Sequence, residues 1–385
     1  MQTQEVAVAP SLRVILKSDS EILDEVTVIA YGTAKKNSLT GSVATIKSSD
    51  MEKLPVTSFE KALQGLSPGL QIASVSGQPG SSTQVRIRGI GSMSASSTPL
   101  YVIDGVAIEA ANLSEVANTS KYGTSANPLS NLNPNDIESI TILKDASAAS
   151  LYGSRAANGV IVVKTRRGMP GKINISYNGY VGIQQPTYLP DFVDAAGYME
   201  MVNSANQNIG GDAVYSQSDI ENTRNHVDPY KYPDNSWSDF LFKNGMVQSH
   251  SVGVSGGSNL ARFALTVNYL NNEGLIDKAN ADRLNIRANT TVNLLDNLSV
   301  DMDFNSYRTK RTEPMYRDGA YTSSIIDWMY ATPPNTVARY PLKEGSDIIY
   351  YGNRPEQRNP AAMMDQGGKY QLLSDNININ ISPRW

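Results

Sequence analysis

After Gly171 the chain alternates apolar and polar side chains, and this period of two constrains the fold more than any other feature. Apolar residues occupy every second position in segments 173–177, 252–254, 263–269, 284–286, 298–304 and 377–381. Successive side chains of a β-strand point to opposite faces, so each segment predicts a strand with one apolar face. The intervening Asn, Ser, Thr, Arg and Asp residues indicate an antiparallel sheet that is wet on its other side.

The connections between these strands differ in length. The run 255–259 and the pair Asp296 and Asn297 predict short hairpin turns. Residues 186–245 and 309–368 predict long polar loops, the first with a short helix near 195–206. Short turns at one end and long loops at the other are typical of an outer-membrane β-barrel. A soluble antiparallel sandwich produces the same alternation, so periodicity alone leaves both architectures open.

Composition divides the chain near residue 170. All three tryptophans follow this point, whereas the preceding part is rich in Gly, Ser and Ala and poor in aromatic residues. The aromatic residues that precede it are Tyr31, Phe59, Tyr101, Tyr122 and Tyr152. Such a change in composition predicts a domain boundary.

The N-terminal part predicts a small α+β domain. Strands are expected at 42–47, 70–73, 84–89, 99–105, 139–143 and 160–164. Ser58 is expected to cap a helix whose apolar face includes Leu66, and Asp145 to cap a second helix that ends at Gly153. Arg86 and Arg88 would share one strand face because they lie two residues apart.

Residue counts exclude several classes of function. The chain has no cysteine and only two histidines, His226 and His250, which are 24 residues apart. A thiol nucleophile, a cysteine-ligated metal site and a histidine-based zinc site or catalytic triad therefore lack their residues. The 33 basic and 37 acidic residues give a net charge of −4, which argues against nucleic-acid binding. We expect no enzyme activity, no metal and no cofactor.

One apparent catalytic motif fails on its context. Residues 253–257 match G-x-S-x-G, but the segment that follows alternates as a strand, whereas a nucleophile elbow leads into a helix. This motif is expected to be a hairpin turn.

A bilayer, if the chain meets one, would have to be crossed by strands. No apolar run reaches the roughly 18 residues that a membrane-spanning helix needs. Residues 1–10 also lack the basic start and apolar centre of a signal peptide.

Several motifs occur in the order and spacing of one family. They are LDEVTVIAYG, LTGSVATIK, LPVTSFEKALQGLSPGLQI, SGQPGSSTQVRIRGIGS, PLYVIDGV, NPNDIESITILKDASAASLYGSRAANGVIVVKTRRG and KINISYNGYVGIQ. They resemble the plug domain and first barrel strand of SusC-type TonB-dependent outer-membrane transporters of Bacteroidetes. The segment WSDFLFKNGMVQSHSVGVSGGSNLARFALTVNYLNNEGLI is similar to the early barrel hairpins of that family. The resemblance favours the barrel over the sandwich.

The resemblance implies an α+β plug domain, with a mixed sheet and short helices, followed by antiparallel transmembrane β-barrel strands. Residues 1–20 resemble the last strand of a carboxypeptidase-regulatory-like β-sandwich, and 21–37 would hold the TonB box and a linker. Residues 38–170 would form the plug and 171–385 the N-terminal part of the barrel. A plugged transporter barrel has about 22 strands, so the six to eight strands that fit here imply an incomplete barrel and a trimmed chain. Pro383 is expected to interrupt the last strand.

The resemblance also implies the position of the TonB box, which receives the energy-coupling partner. Its residues would be Leu23, Asp24, Glu25, Val26, Thr27, Val28, Ile29 and Ala30. This β-prone stretch could add as a strand to the edge of a partner's sheet, with the two acidic residues setting its register against a basic partner. The alternative is that 25–30 is a strand of the plug or of the preceding domain.

Four basic residues are predicted contacts between plug and barrel, namely Arg86, Arg88, Lys144 and Arg155. A plug that shifts needs polar contacts that can rearrange. The alternative is that these residues are solvated faces of the plug sheet.

The function implied by the resemblance is TonB-dependent, energy-coupled import of an oligosaccharide or peptide across the outer membrane. Its implied partners are TonB with its inner-membrane complex, a SusD-like surface lipoprotein, the ligand and outer-membrane lipid, but no nucleic acid. The alternative is a truncated product that does not transport, in which the plug is an isolated soluble binding module.

Overall fold

The computed structural model describes residues 26–29, 32–35, 42–51, 58–74, 76–81, 83–91, 97–108, 132–145, 149–315, 322–352 and 359–385. Near the start of the chain, strands β1 (Val26–Ile29) and β2 (Gly32–Lys35) form an antiparallel hairpin. The rest consists of an N-terminal domain, residues 42–165, and a large antiparallel sheet with its connections.

The N-terminal domain is built on a mixed sheet, as expected. Five strands lie in the order β3 (Val43–Lys47), β8 (Ile137–Leu143), β9 (Val160–Thr165), β6 (Leu100–Ile103) and β7 (Val106–Ile108). The β6 and β9 strands run parallel, and the other neighbours in this sheet are antiparallel. A separate antiparallel pair joins β4 (Leu70–Ser74) and β5 (Thr83–Ile87).

Short helices cover the mixed sheet. They are α1 (Ser48–Met51), α2 (Phe59–Leu63) and two 3-10 helices at Pro134–Asp136 and Ser150–Ala156. Alternate residues of β9 enter different apolar clusters: Ile161 packs with Phe59 and Tyr101, whereas Val160 and Val162 pack with the second 3-10 helix. The domain therefore has an apolar core on each face of its central strands.

Two local predictions for this domain were wrong, and a third lies in part outside the described residues. Helix α2 ends at Leu63, and Leu66 is 37% exposed because it follows the helix in a turn. Arg88 does not share the strand face of Arg86, since β5 ends at Ile87 and Arg88 turns with a φ of 59°. The start of the helix expected after Asp145 falls on residues 146–148, outside the described residues; the Ala149 N–H donates to the Asp145 carbonyl at 3.0 Å, and the 3-10 segment Ser150–Ala156 follows.

The expected stop at Gly153 is confirmed, because the helical backbone is interrupted there. This residue has a φ of 69° and a ψ of −157°, which lie outside the helical region and suit glycine, so Ser150–Ala156 consists of two short helical pieces that meet in a kink at Gly153.

Six long strands form the second unit, which we call the wall sheet. They are β10 (Gly171–Gln184), β11 (Gly245–Gly257), β12 (Ala261–Glu273), β13 (Asn280–Leu295), β14 (Leu298–Met315) and β15 (Gly368–Arg384). Each pairs antiparallel with the next along the chain. The predicted strand alternation and the short turn at Asp296 and Asn297 are confirmed.

Exposure on the wall sheet is inverted relative to a soluble protein. Apolar side chains such as Ile175 and Ile379 on one face are 71% and 68% exposed. Polar side chains such as Asn285 and Asn289 on the other face are 3% and 2% exposed, since they lie against the N-terminal domain. An apolar outer face and a polar inner face are the arrangement of a transmembrane barrel.

The long connections lie at one end of the wall sheet and carry helices. They are α3 (Ala195–Asn208), α4 (Gln217–Arg224), α5 (Trp237–Leu241), α6 (Thr322–Ala331) and α7 (Pro360–Gln366). An apolar cluster that includes Trp237, Ile325 and Met363 joins these connections. In the part of the chain that the structure describes, no helix has the length and apolar character needed to cross a membrane.

Two expectations for the wall sheet need correction. The second long loop begins later than predicted, because β14 continues to Met315. Pro383 does not interrupt β15; it lies within the strand, opposite Val300. Proline is tolerated in a strand at the edge of a sheet, and β15 has β14 as its only neighbour among the described strands.

Candidate functional site

The N-terminal domain meets the wall sheet through a buried polar node. Asp104 lies in the β6–β7 turn with a φ of 49°, a backbone conformation that Asp adopts more readily than most residues. Its carboxylate accepts hydrogen bonds from the Thr165 backbone N–H at 2.9 Å and from the Thr165 hydroxyl at 2.7 Å. Arg287 of β13 forms an ion pair with the same carboxylate.

Thr165 joins the two sides of this node. It ends β9 and is fully buried. Its Oγ1 accepts hydrogen bonds from Arg287 Nη2 at 2.9 Å and from Asn289 Nδ2 at 3.0 Å. Asn289 also donates to the Arg166 carbonyl at 3.0 Å, so two neighbouring inward positions of β13 hold the end of β9.

A second charged contact follows at the chain segment that leaves the N-terminal domain. Arg167 Nη2 lies 3.0 Å from the Asp303 carboxylate, and its Nη1 lies 3.4 Å from that of Asp301. Thr291, on the neighbouring strand, donates to the same oxygen of Asp301, Oδ1, at 2.6 Å. This pairing fixes the segment against β14 just before the chain enters β10.

Two buried carboxyl groups of the N-terminal domain face arginines of the wall sheet. Burial raises the pKa of Glu60 to about 7, and the charge of Arg283 opposes this only in part. Burial likewise raises the pKa of Asp136 to about 6, against the opposing charge of Arg287. The interface therefore contains acids whose charge changes near neutral pH.

Further contacts extend the interface along the wall sheet. Arg311 Nη2 donates to Gln78 Oε1 at 2.8 Å, and Asn133 Nδ2 donates to Ser251 Oγ at 3.1 Å. The backbone of Gly80 also comes close to the wall, because a Cβ there would lie 3.2 Å from the Cβ of Ala281. These contacts spread over β11, β13 and β14.

The apolar cores do not cross this interface. Among the described residues, the two apolar clusters of the N-terminal domain contain no residue of the wall sheet. The two units are thus joined mainly by hydrogen bonds and ion pairs. Such contacts, unlike those of an apolar core, can exchange partners with water.

The basic residues predicted to contact the barrel have described contacts within their own domain. Arg88 pairs with Asp145, Lys144 Nζ donates to the Pro68 carbonyl at 2.7 Å, and Arg86 donates to Gln84 at 3.1 Å. Arg155 is exposed in the second 3-10 helix. Their contact with the barrel stays a prediction.

The predicted TonB box is described only in part. Val26, Thr27, Val28 and Ile29 form β1, which pairs with β2 so that Val28 lies opposite Thr33. Leu23, Asp24, Glu25 and Ala30 lie outside the described residues. The role of the segment stays a prediction.

Sequence reasoning missed the residues that build the interface. Asp104 and Arg287 are 183 residues apart, and no motif connects them. A signal was nevertheless present, because charged residues such as Arg283, Arg287 and Asp303 occupy the polar face of strands that otherwise carry Asn, Ser and Thr. Charges repeated on one strand face indicate a partner surface within the protein.

Comparison with known proteins assigns the N-terminal domain. Residues 35–160 match the TonB-dependent receptor plug domain. The TonB-dependent receptor SusC of Bacteroides thetaiotaomicron is 36% identical over 369 residues, which cover 87% of this chain and 34% of SusC. The TonB-dependent receptor P26 of Formosa agariphila is 34% identical over 327 residues, covering 80% of this chain and 30% of that receptor.

The fold is also found in solved structures. The RagAB peptide importer in its open-open state aligns with a TM-score of 0.63 at 24% identity, covering 85% of this chain and 38% of that chain. Its closed-closed state aligns with a TM-score of 0.60. The chain spans about a third of the length of the curated relatives it matches. The plug match and the two receptor relatives place the chain in the SusC/RagA family of TonB-dependent receptors, and its described residues contain a plug domain and six barrel strands.

Proposed function

We propose that this protein imports a large nutrient, an oligosaccharide or a peptide, across the outer membrane, and that TonB drives the import by displacing the plug. The polar interface between plug and wall sheet carries this proposal. Because Asp104, Thr165 and Arg287 hold the plug through hydrogen bonds and charge, a pull can exchange these contacts for water while the plug core stays folded.

The segment that would receive the pull lies ahead of the plug. Among the described strands, β1 has β2 as its one pairing partner, and a two-stranded hairpin is marginally stable by itself. A partner that offers a sheet edge could therefore take β1 in place of β2. This supports a TonB box at 23–30 with TonB as the partner.

The apolar outer face of the wall sheet supports an outer-membrane location, with lipid against that face. A SusD-like surface lipoprotein is proposed as a second partner, because SusC and the RagAB importer are the relatives in sequence and fold. RagAB is described as a peptide importer, so we propose peptides as well as oligosaccharides as ligands of this protein. The curated relatives are receptors, in keeping with a protein that is not an enzyme.

Growth on defined nutrients tests the proposal. A strain that lacks this gene and a strain that lacks TonB are each grown on a panel of oligosaccharides and peptides as the sole nutrient. We expect both strains to lose growth on the same compound. Uptake of that compound without TonB, or normal growth of the gene deletion on the whole panel, would contradict the proposal.

A further inference from the structure

A cavity of about 550 Å³ opens between the two long connections of the wall sheet. One wall comes from residues 189–194, Tyr198 and residues 234–239, between β10 and β11, and the other from 329–334, between β14 and β15. Both connections leave the sheet at the end opposite the Asp296 turn. In an inserted barrel with short turns toward the periplasm, this cavity faces the cell exterior.

The segments that form the cavity are held together by hydrogen bonds and apolar packing. Asn235 donates from its backbone N–H to the Pro334 carbonyl at 3.0 Å, and Trp237 Nε1 donates to the Pro333 carbonyl at 3.1 Å. The Trp237 side chain is 5% exposed and packs in the same apolar cluster as Met329. A site whose walls are fixed before binding loses little conformational entropy when a ligand enters.

Two exposed aromatic rings meet across the gap between the connections. Phe192 is 55% exposed and Tyr330 is 47% exposed, and their ring centroids lie 5.4 Å apart. Large apolar side chains exposed beside a cavity offer flat surfaces for a ligand, and aromatic faces also attract cations.

The polar lining is strongly acidic. Asp191, Asp194, Asp234 and Asp239 line the cavity, and among the described residues no Lys or Arg lines it. Two of these carboxylates are held in place, since Asp194 accepts from the Gly197 N–H at 2.7 Å and Asp234 from the Ala195 N–H at 2.9 Å.

In the part of the chain that the structure describes, the cations near the cavity do not neutralise the charge of this lining. Arg224 lies close enough to Asp194 to interact with its charge, but its guanidinium is hydrogen-bonded to Glu200 at 2.6 Å. His226 Nδ1 lies 4.0 Å from Asp234 and adds charge only when it is protonated. A neutral or anionic ligand would therefore desolvate carboxylates without compensating their charge.

We propose that this cavity binds the cationic group of the imported ligand, an ammonium or guanidinium carried on a short oligomer. The aromatic pair packs against the aliphatic or ring portion of the ligand, while the aspartates pair with its charge. The inference rests on the proposed function for its biological role, but the binding itself needs neither TonB nor transport.

Calorimetry with the full-length protein in detergent tests the cavity directly. The probes are trilysine, a glucosamine trimer, its fully N-acetylated form, which is neutral, and triglutamate. We expect trilysine or the glucosamine trimer, or both, to bind, with affinity that falls as salt rises. Binding of one cationic probe alone supports the proposal and identifies whether the charge belongs to a peptide or an amino sugar.

Variants separate charge from structure. Asp191 and Asp239 are exposed and their described contacts do not involve the carboxylates, so the double variant Asp191→Asn with Asp239→Asn should keep the fold. We expect this double variant to bind the cationic probe with about tenfold lower affinity, because two partly exposed charge pairs are lost. Asp347→Asn, an exposed aspartate of the second connection outside the cavity, is the matched control and should change affinity less than about twofold.

The proposal is overturned if the neutral trimer or triglutamate binds as tightly as the cationic probes, or if the double variant binds like the control. It is also overturned if none of the probes binds. These results would leave the import proposal standing, because growth and TonB dependence test import separately.

Discussion

Asp104 of the plug and Arg287 of barrel strand β13 form an ion pair in which the two side chains are 5% and 7% exposed. Thr165 completes the pair by donating to the carboxylate and accepting from the guanidinium. A buried pair is costly to break from one side, because the remaining charge stays desolvated. This relationship makes the node the strongest candidate for the contact that holds the plug at rest.

Asp104→Asn should loosen the plug without disturbing its turn. Asn adopts a positive φ as readily as Asp does, but it leaves Arg287 without a charge partner. We expect the free energy that holds the plug to the wall to fall by about 3 kcal/mol. Hydrogen exchange measures this as faster exchange at the end of β9. The exposed pair Arg308 and Asp375 is the control, and Asp375→Asn should change exchange little.

Glu60 should make plug stability depend on pH. Its pKa is about 7 in the folded plug and 4.5 when unperturbed, so the folded state binds the extra proton between these values. The contribution of Glu60 to plug stability is therefore greatest below pH 4.5, falls as the pH rises toward 7 and stays constant above pH 7. The total loss is at most about 3 kcal/mol. Urea unfolding at pH 5 and pH 8 measures the change.

The matched variant for this prediction is Glu60→Gln, which cannot ionise. It should be more stable than the parent at pH 8 and close to it at pH 5. Equal differences at the two pH values would show that Glu60 does not carry the effect.

Val28→Pro should abolish uptake and leave ligand binding intact. Proline removes a backbone donor and disrupts strand pairing, so β1 could no longer pair with a partner's sheet edge. Uptake and binding are measured on the same cells with a labelled ligand. Val28→Ile keeps the strand and should transport normally, whereas normal uptake by the proline variant would reject the TonB-box assignment.

Gly168→Ala should disturb the junction between plug and barrel. A Cβ at this position would overlap the backbone of Phe263 in β12, and shifting a strand backbone costs more energy than shifting a side chain. We expect a loss of about 1–3 kcal/mol in unfolding free energy, typical of overpacking. Gly77→Ala is the control, since no atom lies within 4 Å of its new methyl group. Equal stability of the two variants would contradict the close approach.

Local patterns predicted the strands and their faces. The alternation around Ile175 and Ile379, the turn at Asp296 and the helix at 195–206 depend on neighbours in sequence, and the structure confirms them. Helix ends were harder to predict. Leu66 fits the helical spacing of the apolar residues before it, but helix α2 ends at Leu63 and Leu66 lies in the turn that follows.

The interface could not be predicted from the same patterns. Alternation places Arg287 on the inner face of β13, but it does not say which plug residue lies opposite. That pairing depends on how the β6–β7 turn and the end of β9 approach the wall, a relationship between distant segments. Asp104 and Thr165 look like ordinary turn and strand-end residues in the sequence.

Locking the plug to the wall tests the central claim most directly. Asn133 Nδ2 and Ser251 Oγ lie 3.1 Å apart across the interface, and the chain has no native cysteine to interfere. In the double variant Asn133→Cys with Ser251→Cys, uptake is measured before and after oxidation and again after reduction. We expect oxidation to stop uptake, reduction to restore it and both single variants to transport throughout. Undiminished uptake with the disulfide formed would contradict import by plug displacement.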